Sequence, residues 1–128
     1  MKAQLKIGFA LVVGFGLGAI TVDQLHAQAG PPAYVISEIT LTDPDAYARE
    51  YVPLATKALA ESGQTRLASG GRTVSLAGAP PASRIVLSRF ASLEQAQAAY
   101  TLPAYLEARK IGDRYGTLRI FAVEGLRQ

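Results

Sequence analysis

The chain has 128 residues, with 13 Lys and Arg against 10 Asp and Glu, no cysteine and a single histidine, His26. Its length suggests one domain. Without cysteine there are no disulfides, thiolate nucleophiles or cysteine metal sites, and if the N-terminal segment that holds His26 is removed, no imidazole remains for a His-based triad and a transition-metal centre is not expected.

The N-terminus reads as an address. Lys2 and Lys6 form a short basic region, and Ile7 to Val22 is an uncharged apolar run. Ala27-Gln28-Ala29 then places small residues at alternate positions, just before Gly30-Pro31-Pro32. This is the layout of a secretory signal peptide over residues 1–29, cleaved after Ala29. The alternative is an uncleaved N-terminal anchor, the one case in which a membrane is a partner. The expected location is periplasmic or secreted, or the inner membrane facing the periplasm if the anchor stays. Cleavage removes His26, so the chemistry of the remaining domain, residues 33–128 after a short linker at 30–32, must come from Asp, Glu, Tyr, Arg, Lys, Ser or Thr. Its charge is nearly balanced, and its basic residues form no run or stripe, which argues against a nucleic-acid partner. No cofactor and no metal are expected.

Ala33 to Leu41 is a strand rich in β-branched and aromatic residues. Val35, Ser37, Ile39 and Leu41 point one way, and Tyr34, Ile36, Glu38 and Thr40 the other. Both faces carry apolar residues, so the strand is expected to be central in its sheet. Asp43-Pro44 starts a helix, with Asp43 as cap and Pro44 at the first helical position. Tyr47, Tyr51, Leu54 and Ala58 fall on one helical face, Pro53 should kink the helix, and Gly63 suits a left-handed end.

Thr65 to Ala68 and Thr73 to Leu76 are expected to be short strands joined by a Ser69-Gly70-Gly71-Arg72 turn. The paired glycines lack the context of a phosphate loop. Gly78 to Pro81 is a loop, and Arg84 to Phe90 a further strand. Ser92 and Gln95 form a capping box for a helix that shows Ala96, Ala99 and Tyr100 to the core. Pro103 interrupts it, and Tyr105, Leu106 and Arg109 continue. Thr117 to Glu124 is the last strand. The order β-α-β-β-β-α-β, with the middle hairpin as an elaboration, predicts an α+β fold: a ferredoxin-like split βαβ sandwich with helices on one face of an antiparallel sheet.

That topology puts the first strand between the Arg84 strand and the last one, and leaves one sheet face uncovered. Ile36, Leu87, Phe121 and Val123 would be exposed there, so a homodimer that stacks two sheets is expected. Glu38, Arg89 and Arg119 share that face by parity. They are candidates for an anion site at the dimer seam, or for a structural ion pair that fixes the dimer register. The second candidate is the space between helices and sheet. Tyr47, Tyr51, Tyr100 and Tyr105 could line a pocket for a small aromatic ligand there, or simply pack the core.

The segments AYVISEITLTDPDAY, LASGGRTVSLAG, RIVLSRFASLEQAQAAY and RIFAVEG, in this order and spacing, resemble the bacterial family of unknown function numbered 1330, within the dimeric α/β-barrel superfamily. The similarity spans Ala33 to about Gly125. It implies a ferredoxin-like protomer and a homodimer packed through its sheets, and it implies no settled activity. Superfamily relatives include cofactor-independent monooxygenases, isomerases, cyclases and heme-degrading enzymes. The chain departs from the pattern at Arg89, where many members are acidic, at Ser69, where many carry Arg before the glycine turn, and at Leu102, where many carry a capping Ser. The resulting expectation is an exported homodimeric domain that binds a small molecule. The alternative is a cofactor-independent enzyme, of isomerase or monooxygenase type, acting on a small aromatic or lactone-like compound. In that alternative Glu38 is the base and Arg89 or Arg119 stabilises an enolate or oxyanion.

Overall fold

The computed structural model describes residues 30–127; the expected signal peptide and its alternative as an anchor lie outside the described residues. The elements run in the order β1 (Ala33–Leu41), α1 (Pro44–Ala46), a π-helical turn (Tyr47–Tyr51), α2 (Val52–Glu61), β2 (Thr65–Ser69), β3 (Arg84–Phe90), α3 (Leu93–Ala99), α4 (Pro103–Gly112) and β4 (Gly116–Glu124). The strands form one four-stranded sheet in the order β2-β3-β1-β4. β1 runs antiparallel to both neighbours, and β2 antiparallel to β3. β3 therefore lies between β1 and β2, which is the split βαβ arrangement of a ferredoxin-like fold.

Burial alternates along β1. Ala33, Val35, Ser37 and Ile39 are buried, while Tyr34, Ile36 and Glu38 are only partly covered. The covered face packs on Tyr47, Tyr51, Ala55, Ala58 and Leu59 of the first helical segment and on Ala96, Ala99, Tyr105 and Ala108 of the second. Each large apolar side chain so buried contributes about 1.5–3 kcal/mol. Alanines at these contacts let helix backbones approach the sheet closely, and the tyrosines fill the remaining depth.

The caps follow the local sequence. Asp43 accepts a hydrogen bond from the Ala46 amide at 3.1 Å. Ser92 accepts from the Gln95 amide at 3.0 Å, and the Gln95 side chain reaches back to the Ala91 amide at 2.9 Å, one residue before the cap. Gly63 ends α2 at φ +91°. Leu102 makes no side-chain cap for α4, which instead begins on Pro103.

Two expectations are corrected. Leu54 was expected on the buried helical face with Tyr47, Tyr51 and Ala58, but it is 49% exposed and Ala55 takes its place. The cause is the π-helical turn, in which the Val52 amide bonds to the Tyr47 carbonyl. Pro53 has no amide hydrogen and its ring crowds the carbonyl of a preceding turn, so the backbone widens ahead of it. The extra residue in that turn advances the helix phase by one position. Second, Thr73 to Leu76 forms no strand, so the hairpin over Ser69–Arg72 does not form. Val74 and Leu76 are exposed, and β2 pairs with β3 directly across a long loop. Gly70 still turns the chain with φ +70°, donating its amide to the Ile85 carbonyl at 2.9 Å. Those four residues alternate in polarity but run in the loop between β2 and β3, and β2 stays the edge strand of the sheet.

Candidate functional site

The sheet separates the two groups of candidate residues. Register places Glu38 opposite Ile85 on β3 and opposite Arg119 on β4. The Arg119 guanidinium makes an ion pair with Glu38 and also lies over the Phe121 ring, 4.9 Å from its centre. Arg89 shares this open face but stands opposite Tyr34, four residues from Ile85. At about 3.3 Å per residue that is roughly 13 Å along the strand, so the fold brings Glu38 to Arg119 and leaves Arg89 at the far end. Glu38 is about one-third exposed and Arg119 largely exposed. The same face carries Ile36, Leu87, Phe121 and Val123, the last two 41% and 51% exposed.

The four tyrosines meet on the covered face. Tyr47 and Tyr51 stack at 4.8 Å with tilted rings, and Tyr100 meets Tyr105 edge-on at 4.7 Å. The Tyr51 and Tyr105 hydroxyls are 3.4 Å apart and buried. The one-turn spacing of Tyr47 and Tyr51 aligns the first pair. The Pro103 break between Tyr100 and Tyr105 turns the second pair toward each other. Tyr47, Tyr51 and Tyr100 line a small cavity of about 50 Å³ between helices and sheet, whereas Tyr105 stands behind them, holding Tyr51.

Other polar groups share this cavity. Ser37, Gln64, Arg66, Ser69 and Arg84 all line it. Gln64 donates to the Ser88 hydroxyl at 3.0 Å and to the Tyr100 hydroxyl at 3.4 Å. Arg66 donates to the Thr56 hydroxyl at 2.6 Å and Arg84 to the Ser69 hydroxyl at 3.2 Å. No Asp or Glu lines it among the described residues. Burial pushes the phenols toward their neutral form. Tyr51 rises well above the ordinary phenol range through burial and then through Tyr105. Tyr100 is pushed up to about 12, by burial first and Tyr105 second. Tyr47 is raised by burial, an effect that the adjacent Arg84 guanidinium partly offsets. The cavity thus presents neutral hydroxyls, an amide and two cations, a set suited to holding an acceptor-rich group.

A second, more apolar hollow of about 320 Å³ lies between α3 and β4, lined by Val35, Leu93, Ala96, Phe121 and Ala122. Tyr100 and Ile120 border both spaces. The sequence reading had the tyrosines but passed over Arg84, Gln64 and Ser37. The signal was present: Arg84, Ser88 and Ser37 are polar residues at alternate positions that face the helices, where apolar side chains are the rule.

A four-stranded antiparallel sheet with a split βαβ order and helices on one face defines a ferredoxin-like α+β domain. The chain belongs to the family described as "Domain of unknown function (DUF1330)", whose model matches residues 32–126. Among solved structures it is similar to a protein of unknown function from Rhodopseudomonas palustris, with 18% identity and a TM-score of 0.61, over 84% of this chain and 93% of that one. It is also similar to SnoaB, a cofactor-independent oxygenase from Streptomyces nogalater, with 10% identity and a TM-score of 0.55, over 77% of this chain and 96% of that one. A protein of unknown function from Bacteroides thetaiotaomicron, described as a possible oxidoreductase, matches with 11% identity and a TM-score of 0.52, over 76% and 100% of the two chains. At these identities the likeness concerns the fold. No protein of curated description matches the chain.

Proposed function

We propose that this domain binds a small organic molecule in the cavity between helices and sheet, and that it acts as a homodimer outside the cytoplasm. The observation that carries the binding reading is the convergence of Tyr47, Tyr51, Tyr100, Gln64 and two arginines on one cavity that no Asp or Glu lines among the described residues. Tyr47 and Tyr51 are buried at its floor, while Arg66 and Ser69 belong to the exposed edge strand, so the polar groups border an opening to solvent. The test is a metabolite screen by thermal shift on the full chain. A ligand that binds the folded state raises Tm in proportion to its concentration over Kd. Substitution of Gln64 by Leu should weaken any hit, and a screen without a shift counts against the reading.

The homodimer is supported by the apolar open face and by the resemblance to the dimeric α/β-barrel superfamily. Export is supported by the basic, apolar and small-residue pattern of residues 1–29. N-terminal sequencing of the periplasmic protein should find Gly30 first, whereas a retained Met1 with membrane fractionation would favour the anchored form.

The enzymatic alternative uses the other face. Glu38 beside Arg119 offers a partly exposed carboxylate next to a cation, and SnoaB shares the fold and is described as a cofactor-independent oxygenase. Under this reading, Glu38→Gln lowers turnover of a small phenolic or lactone-like compound by about 10²-fold or more, the usual contribution of a general base. The inner cavity lacks a carboxylate base among the described residues, and for that reason binding is the preferred reading.

A further inference from the structure

We propose that the inner cavity is a site for a small organic carboxylate, with the Arg84 guanidinium as its counter-ion; this rests on the reading of that cavity as the ligand site. Arg84 opens β3 opposite Ile39, so it lies on the helix-covered face of the sheet. A guanidinium on that face is normally paired with an acid, since an unpaired charge loses its hydration without compensation. Among the described residues, the ion pairs are Arg109–Asp113, Lys110–Glu107 and Arg119–Glu38. Arg84 has none. One of its terminal nitrogens donates to the neutral Ser69 hydroxyl, and its Nε is buried with no acceptor.

The backbone passes close to this group. Gly70 adopts φ +70°, and a Cβ there would collide with Arg84 Nη1. The start of the long loop therefore roofs the guanidinium instead of neutralising it. Tyr47 lies beside Arg84 with its phenol held neutral by burial, ready to donate. Arg66 adds a second cation to the lining, already bonded to Thr56.

The chemistry of the walls selects the class of anion. A planar carboxylate fits the fork of an arginine, with two oxygens on two parallel N–H bonds. The cavity of about 50 Å³ admits only a few non-hydrogen atoms, since about 10–15 Å³ of such space suffices for one water. Aromatic rings of Tyr47, Tyr51 and Tyr100 suit the organic part of the acid rather than a hydrated inorganic dianion. Tyr100 and Ile120 also border the apolar hollow, so the tail of a longer acid would extend toward that side.

The test is calorimetric titration of the full chain, at constant ionic strength, with acetate, propionate and benzoate, with the corresponding amides, and with inorganic phosphate. The acids should bind at least about ten-fold more tightly than the amides and than phosphate, as expected for a charge-assisted fork. Arg84→Gln should abolish that preference, and Arg49→Gln, an exposed control, should leave it intact. Amides binding as well as acids would overturn the carboxylate assignment and leave the cavity as a ligand site. Phosphate binding as well as the acids would overturn it in favour of a general anion site. Acids that still bind Arg84→Gln would overturn the role of Arg84. If none of these compounds binds the natural chain, this assignment falls, while hits from the metabolite screen decide separately on the cavity. Should Arg84→Gln fail to fold by circular dichroism, Arg84→Lys replaces it: the charge stays, the fork is lost, and unchanged acid affinity would overturn the proposal.

Discussion

Tyr51 shows how one side chain ties local spacing to the interior. Its ring stacks on Tyr47 one turn earlier, and its hydroxyl reaches Tyr105 from the second helical segment at 3.4 Å. Both Tyr51 and Tyr100 have their ionisation suppressed by burial. In the unfolded chain phenols ionise near the ordinary value of 10.0, whereas Tyr100 holds its proton to about 12 and Tyr51 beyond. Above that ordinary value the unfolded state binds fewer protons than the folded one, so stability falls as pH rises. The contribution is complete below the unfolded value and is lost through the folded ones. Urea unfolding followed through this alkaline range should show a falling midpoint, with a shallower slope in Tyr51→Phe. An identical slope in that variant would remove Tyr51 as a source. Near neutral pH the same substitution should cost no more than about 1 kcal/mol, because the hydroxyl contact is long for a hydrogen bond.

At the scale of elements, the first helical segment and the loop after β2 carry the lessons. Asp43, Pro44 and Gly63 were legible as start and stop signals, because capping acts within one turn. The phase of the helix after Pro53 was not, since a π-helical turn changes which residues face the sheet without leaving a mark in composition. The second segment meets the first at Gly112, where a Cβ would stand 2.8 Å from Tyr51 Cδ2. Alanine normally favours a helix over glycine by about 1 kcal/mol, but overpacking of this kind costs roughly 1–3 kcal/mol. Gly112→Ala should therefore destabilise the domain in urea unfolding. Combining it with Tyr51→Ala should cost less than the sum of the two single changes, because the collision is then absent. Strict additivity would place the cost elsewhere.

At the scale of the whole molecule, the sheet has one face under helices and one face open. Phe121 and Val123 on the open face are too exposed to stabilise a single protomer much, and Ile36 on β1 and Leu87 on β3 continue the same apolar row across the sheet. Stacking two such faces removes this surface from water, at the spacing of about 10 Å usual for packed sheets. Sedimentation at micromolar concentration should give a dimer for the natural chain and a monomer for Phe121→Glu, with near-native circular dichroism in both. A natural chain that sediments as a monomer would end the stacking idea. The Glu38–Arg119 pair adds a second reading of the same experiment. Exposed, it is worth about 0–1 kcal/mol. Buried in a seam, the loss of one partner would cost several times that.

The sequence by itself determined the strands β1, β3 and β4, their central order, the helix caps, and the two-faced character of β1. It also showed the absence of cysteine. All of these follow from rules that act over a few residues: side-chain period, cap chemistry, composition. Tertiary structure alone decided that Ala55 and not Leu54 meets the sheet, that Thr73 to Leu76 finds no partner strand, that Arg119 and not Arg89 receives Glu38, and that Arg84 stands without an acid inside the covered face. Each of these depends on cross-strand register and helix phase, which are set by contacts between residues distant in the chain.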